Sequence, residues 1–136
     1  MQVRILPEIG LVYVRYSSWM SIDESGAAFA EYLAHPDFRL GQKQLIDLTE
    51  VTEWDRDFTK LLALQARKAD VFHQPPHSTL LAMIAPTPKA RTLANWVSRS
   101  WDQVDTVAYL VAETEAEALE LLGIRAERID ELLPSP

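Results

Sequence analysis

His73 and His77 stand four residues apart, the spacing by which a helix brings two imidazoles to one metal ion. Pro75 and Pro76 lie between them, and two prolines remove the helical geometry that this spacing needs. His35 is distant in sequence, so no metal site is expected. Carboxylates are more plentiful: Asp23-Glu24, Asp55, Asp57, and the glutamates at 113, 115, 117 and 120. A catalytic pair needs one carboxyl taken out of water and shifted in pKa. These carboxylates fall at helix starts or along a solvated helix face instead. No serine sits in a Gly-x-Ser-x-Gly elbow, and the four glycines are too scattered for a phosphate-cradling loop. The chain has no cysteine, hence no thiolate nucleophile, no disulfide and no thiolate metal centre. The expectation is a protein without catalytic residues, metal or cofactor.

What remains is recognition chemistry, and its residues depend on the elements that carry them. Residues 3–6 and 11–16 read as strands joined by the Pro7-Glu8-Ile9-Gly10 turn, close enough to pair antiparallel. Ser21-Ile22-Asp23-Glu24 is a capping box that opens a helix ended by Pro36. Residues 44–48 form a buried strand, 49–57 an acidic loop, and 57–72 a helix whose apolar side is predicted as Phe58, Leu61, Leu62, Ala66, Ala69 and Phe72. A strand over 79–85 leads to Thr87 as N-cap and Pro88 as first helical residue. Ala90, Leu93, Ala94, Val97 and Trp101 make that helix's apolar stripe, with Trp96 on its flank. A strand over 106–112, a second capping box at Thr114-Glu115-Ala116-Glu117 and a C-terminal Gly123 complete the pattern.

The predicted order is β-β-α-β-α-β-α-β-α. It implies one α/β domain over 1–124, with a mixed, mostly parallel sheet, and a polar tail over 125–136. Ligands and partners of such sheets gather beyond the carboxyl ends of the parallel strands. The loops there are 17–21, 49–57, 86–89 and 113–114, and they carry Trp19, Thr52, Trp54, Asp55, Asp57 and Thr87. An exposed indole is costly without a partner, which makes this rim a contact surface. Helix capping and core closure account for the same residues in structural terms.

With 136 residues, 48% of them hydrophobic and 24% charged, the chain has the composition of one globular domain. A net charge of −7 argues against nucleic acid and against an anionic membrane surface. The first residues lack the apolar core of a signal peptide, and the uncharged stretch 71–88 holds four prolines, so it is no membrane span. A cytoplasmic protein with no integral membrane association is expected.

The order of elements, the segment Leu45-Ile46-Asp47-Leu48-Thr49-Glu50-Val51-Thr52 and the ending Glu117-Ala118-Leu119-Glu120-Leu121-Leu122-Gly123-Ile124 resemble the SpoIIAA-like, or STAS-like, family. That family is related to anti-sigma-factor antagonists and loosely to CRAL-TRIO lipid carriers. The resemblance covers residues 2–124 and implies a small regulatory or binding domain. In the antagonist branch the corresponding loop reads Asp-Leu-Ser-x-Val-x-x-x-Asp-Ser-Ser-Gly, and its second adjacent serine is phosphorylated. Asp47, Val51 and Asp55 match that pattern, while Arg56, Asp57 and Phe58 occupy the Ser-Ser-Gly positions. The phosphoacceptor is therefore missing. Asp57 carries about half or less of a phosphate's charge, and helix capping explains it equally well. Thr52 and Thr59 are the alternative hydroxyls.

These readings make the chain a non-enzymatic interaction domain of STAS-like type, without the usual phosphoserine switch. Asp55 and Asp57 would be electrostatic contacts, Trp54 an apolar anchor, Thr52 a cap or latent phosphorylation site, and Thr59 an alternative acceptor. Trp19, Thr87, Trp96 and Trp101 would rim an interface with a protein partner or a second copy. The alternative is a carrier of a small apolar ligand or lipid, resting on the apolar stretch 72–88 beside Trp101.

Overall fold

Extended and helical segments alternate along the chain in the predicted order. The computed structural model describes residues 1–74, 78–102, 104 and 107–133. His77, Pro75, Pro76 and the first residue of the predicted last strand, Thr106, lie outside them.

Strand β1 (Gln2–Leu6) turns through a 3-10 segment (Pro7–Ile9) into β2 (Leu11–Arg15). Gly10 closes that turn at φ 62°, a left-handed conformation that glycine adopts without steric cost. Then come β3 (Trp19–Met20), α1 (Ile22–Ala34), β4 (Lys43–Asp47), β5 (Glu53–Trp54) and α2 (Phe58–Phe72). The chain continues through β6 (Thr79–Ile84), α3 (Pro88–Arg99), β7 (Val107–Ala112) and α4 (Glu115–Leu121) to a 3-10 turn at Ile129–Glu131. The main sheet has the order β1-β2-β4-β6-β7; β1 is antiparallel to β2, and every other neighbour is parallel. The protein is thus α/β, with a mixed five-stranded sheet and four helices.

Each helix starts on a side-chain cap. Ser21, Asp57, Thr87 and Thr114 accept from the backbone N–H of Glu24, Lys60, Ala90 and Glu117, which removes one orphan donor per helix. The reciprocal half of the first capping box is absent: Glu24 instead pairs with the N-terminal ammonium at 3.3 Å.

Alternation along the strands divides the core into two layers. On one face Val12, Ile46, Leu81, Met83 and Val107 pack against α1, α2 and α3. On the other, Leu11, Tyr13, Leu45, Ala82 and Ile84 meet α4 and the tail residue Ile129. The described part of the tail therefore lies on the domain, with Leu132 and Leu133 packed beside Leu6.

Two features depart from the sequence reading. Glu53 and Trp54 leave the predicted acidic loop to form a two-residue parallel bridge with Trp19 and Met20, too short to leave a periodic signal. The buried stripe of α2 is also rotated. It runs Leu61, Leu64, Gln65 and Phe72, while Leu62 and Ala66 are exposed. Gln65, at a helical spacing from Leu61 and Phe72, hides this stripe because it reads as polar.

Candidate functional site

The crossovers bring the chain ends of β2, β4, β6 and β7 to one rim, and the short β3–β5 pair builds that rim outward. Ser18 O accepts from Thr52 N at 2.9 Å and Glu53 N at 3.1 Å, and Met20 O accepts from Asp55 N at 2.9 Å. The Thr52 hydroxyl adds a donation to Ser18 O at 3.1 Å. These bonds hold Trp19 on a fixed backbone with its ring in water: the residue is 54% exposed, the most exposed large hydrophobic among those described.

Trp54 takes the opposite orientation. It is 3% exposed, with Nε1 buried and unpartnered, so it closes the core and is not the expected surface anchor. The Arg56 guanidinium covers its ring at 4.2 Å from the centroid. Asp55 is half-buried and Asp57 exposed, and both accept from nearby backbone. Asp57 Oδ1 caps α2 through Lys60 N at 3.1 Å, and Asp55 Oδ1 accepts from Asp57 N at 3.1 Å. Their carboxylates hold local structure, where the sequence reading made them free electrostatic contacts. Thr59 is exposed in the first turn of α2.

Exposed ion pairs lie on the same segments, one of them on Glu53, the bridge partner of Trp19. Lys60 Nζ lies 3.0 Å from Asp23 and 4.0 Å from Asp55, and the hydrogen bond to Asp23 raises the lysine pKa. Glu53 is bonded by Lys89 and, at 3.3 Å, by Arg56; these two donors, Lys89 first, hold its carboxyl below the usual range. Exposed pairs contribute about 0–1 kcal/mol each. Their effect here is to place charge of both signs on the loops that follow β2, β4 and β6.

Thr87 caps α3 at the same rim, accepting from Ala90 N at 3.0 Å. Trp96 and Trp101 do not join it. Trp96 is half-buried along α3, its ring 5.4 Å from that of Phe58 on α2. Trp101 follows the C-terminal end of α3, away from the rim, and is 5% exposed. It is a core residue and offers no interface.

The Tyr13 hydroxyl donates to Asp47 Oδ2 at 2.9 Å, and Asp47 Oδ1 accepts from Thr49 N at 2.9 Å and from the Thr49 hydroxyl. Burial, with the Asp47 charge next, pushes the Tyr13 pKa up. This neutral phenol fixes the carboxylate at the end of β4, so the Asp47 of the family-like segment works as a structural knot.

Between the sheet and α1–α3 lie two cavities of about 50 and 40 Å³. Each is room for a few waters, at about 10–15 Å³ apiece, and not for an acyl chain. Lys68 and Gln65 line the second, and sequence reasoning passed over both. Their signal was present: 61, 64, 65, 68 and 72 share one helix face. Among the described residues no three His, Asp or Glu side chains converge on a metal-sized site, and no helix is long and apolar enough to cross a membrane.

Compared with known proteins, the chain matches no family model and no curated sequence.

Proposed function

We propose that this protein is a non-enzymatic interaction domain, STAS-like in its arrangement, that binds a partner protein through the rim around Trp19. The observation that carries this reading is the exposure of Trp19, 54%, on a backbone fixed by the β3–β5 bridge. Burying one indole supplies much of the energy of a small interface, and a pre-set backbone lowers the ordering cost. The charges of Asp23, Lys60, Glu53, Arg56 and Lys89, carried on the same segments, would select the partner by complementarity.

The phosphoserine switch has no counterpart in this reading. Asp57 occupies the acceptor position, and its carboxylate is committed to the α2 cap. The lipid-carrier alternative rested on the stretch beside Trp101, and the cavity that Trp101 lines there, of about 40 Å³, is too small for an acyl chain.

A photo-crosslinking residue placed at Trp19 in living cells tests the reading against the same residue at Leu121, an exposed site on α4. A discrete adduct is expected at 19 and none at 121. Trp19→Ala should abolish co-purification of the crosslinked protein without altering thermal unfolding. The same adducts from both positions, or retention of the partner by Trp19→Ala, would refute the rim.

A further inference from the structure

The two edges of the main sheet are built differently. At one edge β1 exposes Gln2, Val3 and Arg4 and runs directly into Pro7. A charge and an adjacent proline are devices that keep an open edge from pairing. At the other edge β7 reads Val107-Ala108-Tyr109-Leu110-Val111-Ala112, a run without charge, proline or glycine. β6 lies on one side of it, and among the described residues no strand lies on the other.

The ladder to β6 shows which backbone groups this edge leaves free. Ala85 N donates to Ala112 O at 2.8 Å, so the backbone groups of Ala112, and with them those of Leu110 and Ala108, point to β6. The N–H and C=O groups of Val107, Tyr109 and Val111 therefore point out of the sheet. Ala108 is exposed, Tyr109 and Leu110 are half-buried, and Val111 is 38% exposed. The strand is held firmly: the Tyr109 hydroxyl donates to Ala94 O at 2.7 Å, and Leu110 packs in the α4 layer. A partner would find this edge already ordered.

Charge and symmetry select the partner. A strand that laid a charged side chain along this apolar line would strip it of water with no counter-charge. The chain's own β7 brings no charge. Copies that each carry −7 repel over most of their surface, and this edge is a line along which they can meet. A two-fold axis normal to the sheet pairs β7 with its copy antiparallel. Directly opposed residues must then share a face, so the axis falls at a residue and not between two. We propose that β7 pairs with β7 of a second copy, centred on Leu110, joining two five-stranded sheets into one. In this register Tyr109 lies opposite Val111 of the copy, and Val111 opposite its Tyr109. Each of these pairs exchanges two N–H···O bonds. The exposed valine gains an aromatic neighbour, a stabilising cross-strand combination. On the other face Leu110 meets its own copy, and Ala108 meets Ala112. One strand of about 20 Å makes a small interface, which sets the dimer in the micromolar range. It does not use Trp19 and stands apart from the rim.

The test uses the full chain. Sedimentation equilibrium is expected to show monomer and dimer exchanging at micromolar concentration. Val111→Pro removes an N–H that β6 does not use, and proline is tolerated on an edge strand at such a position. It should weaken the dimer at least tenfold with the parent's circular dichroism; Trp19→Ala should dimerise as the parent does. Because the chain has no cysteine, one introduced thiol reports the register. Leu110→Cys places two Cα atoms about 4.5 Å apart, within disulfide reach, and mild oxidation should give a covalent dimer. Ala108→Cys, about 13 Å along the strand from its copy, should give at least tenfold less. A chain that stays monomeric at millimolar concentration overturns the proposal. So do assemblies that grow beyond two copies, as β7 pairing on β1 would give, a dimer lost in Trp19→Ala or kept in full by Val111→Pro, and cross-linking as ready at 108 as at 110. The parent's sedimentation and the two thiol variants decide the matter even where Val111→Pro folds poorly.

Discussion

The two faces of the sheet are packed to different standards. The α4 face is the smaller, yet Leu11, Leu45, Ile84, Leu119 and Leu122 on it are all essentially inaccessible to solvent. Its buried polar pair is closed, Tyr13 to Asp47 and Asp47 to Thr49; among the described residues Arg15 Nε, near the rim, is the one buried side-chain atom on this face without a partner. The three-helix face is larger and looser. It holds both interior cavities, the unpartnered atoms of Trp54, Gln65 and Trp101, and a lysine with no counter-ion. The three-helix layer is well buried at Val12, Leu48 and Leu93, yet it carries the voids and unpartnered polar groups that cost stability.

The sharpest way to break this contrast is truncation. Leu119→Ala should cost about 3–5 kcal/mol, near the top of the range for buried leucines, because its neighbours are fully packed. Leu81→Ala, whose side chain already borders both cavities, should cost about 2–3 kcal/mol, since it gives up fewer contacts. Urea midpoints with an unchanged slope measure both. Equal costs would show that the two layers are packed alike.

Enlargement reverses the sign. Ala118→Leu on the tight face should destabilise by about 1–3 kcal/mol through overpacking. Ala28→Leu, entering the cavity of about 50 Å³ that Ala28 lines, should stabilise by about 1 kcal/mol.

Lys68 gives a pH signature to the loose face alone. Burial pushes its pKa down from 10.5 to about 8. Above pH 8 the folded state has released this proton while the unfolded chain still binds it, so stability rises with pH from about 8 toward 10. Tyr16 and Tyr32, which line a cavity with Lys68, have pKa values raised by burial. They resist ionisation in the fold and oppose the gain only above pH 10. After discounting for the lysine's partial exposure, the rise should be on the order of 1 kcal/mol. Thermal unfolding of Lys68→Met across pH 7–10 should lack it; a rise that persists in the variant assigns it to another group.

The same contrast explains what the sequence made legible. The strands and caps were readable because their signals are local: a Ser, Thr or Asp before each helix, Pro88 at a first helical position, Gly123 in a left-handed conformation at φ 74°. The stripe of α3 was equally plain, since Ala90, Leu93, Ala94 and Val97 are all apolar. The stripe of α2 was not, because Gln65 and Lys68 stand where a core reading expects Leu. The polar residues that blur the pattern are those that line the interior cavities. Trp54 was misplaced for another reason. One residue of bridge register decides which indole turns inward, and a two-residue pairing between segments more than thirty positions apart has no sequence periodicity to announce it.

The smallest expected effect separates two roles for Asp57. As the cap of α2 it accepts from Lys60 N at 3.1 Å; as a stand-in for a phosphorylated serine it would act through its charge. Asp57→Ser keeps an oxygen that can accept this bond and removes the charge, while Asp57→Ala removes both. Capping alone predicts that Ala costs about 1 kcal/mol and Ser only a few tenths. Thr114→Ala on the tight face should match the Ala value, since its hydroxyl does the same work for α4 at 3.1 Å. If the Ser variant unfolds like the parent and keeps the partner crosslinked at Trp19, the carboxylate serves the helix. If it unfolds like the parent but loses that partner, the charge belongs to the interface.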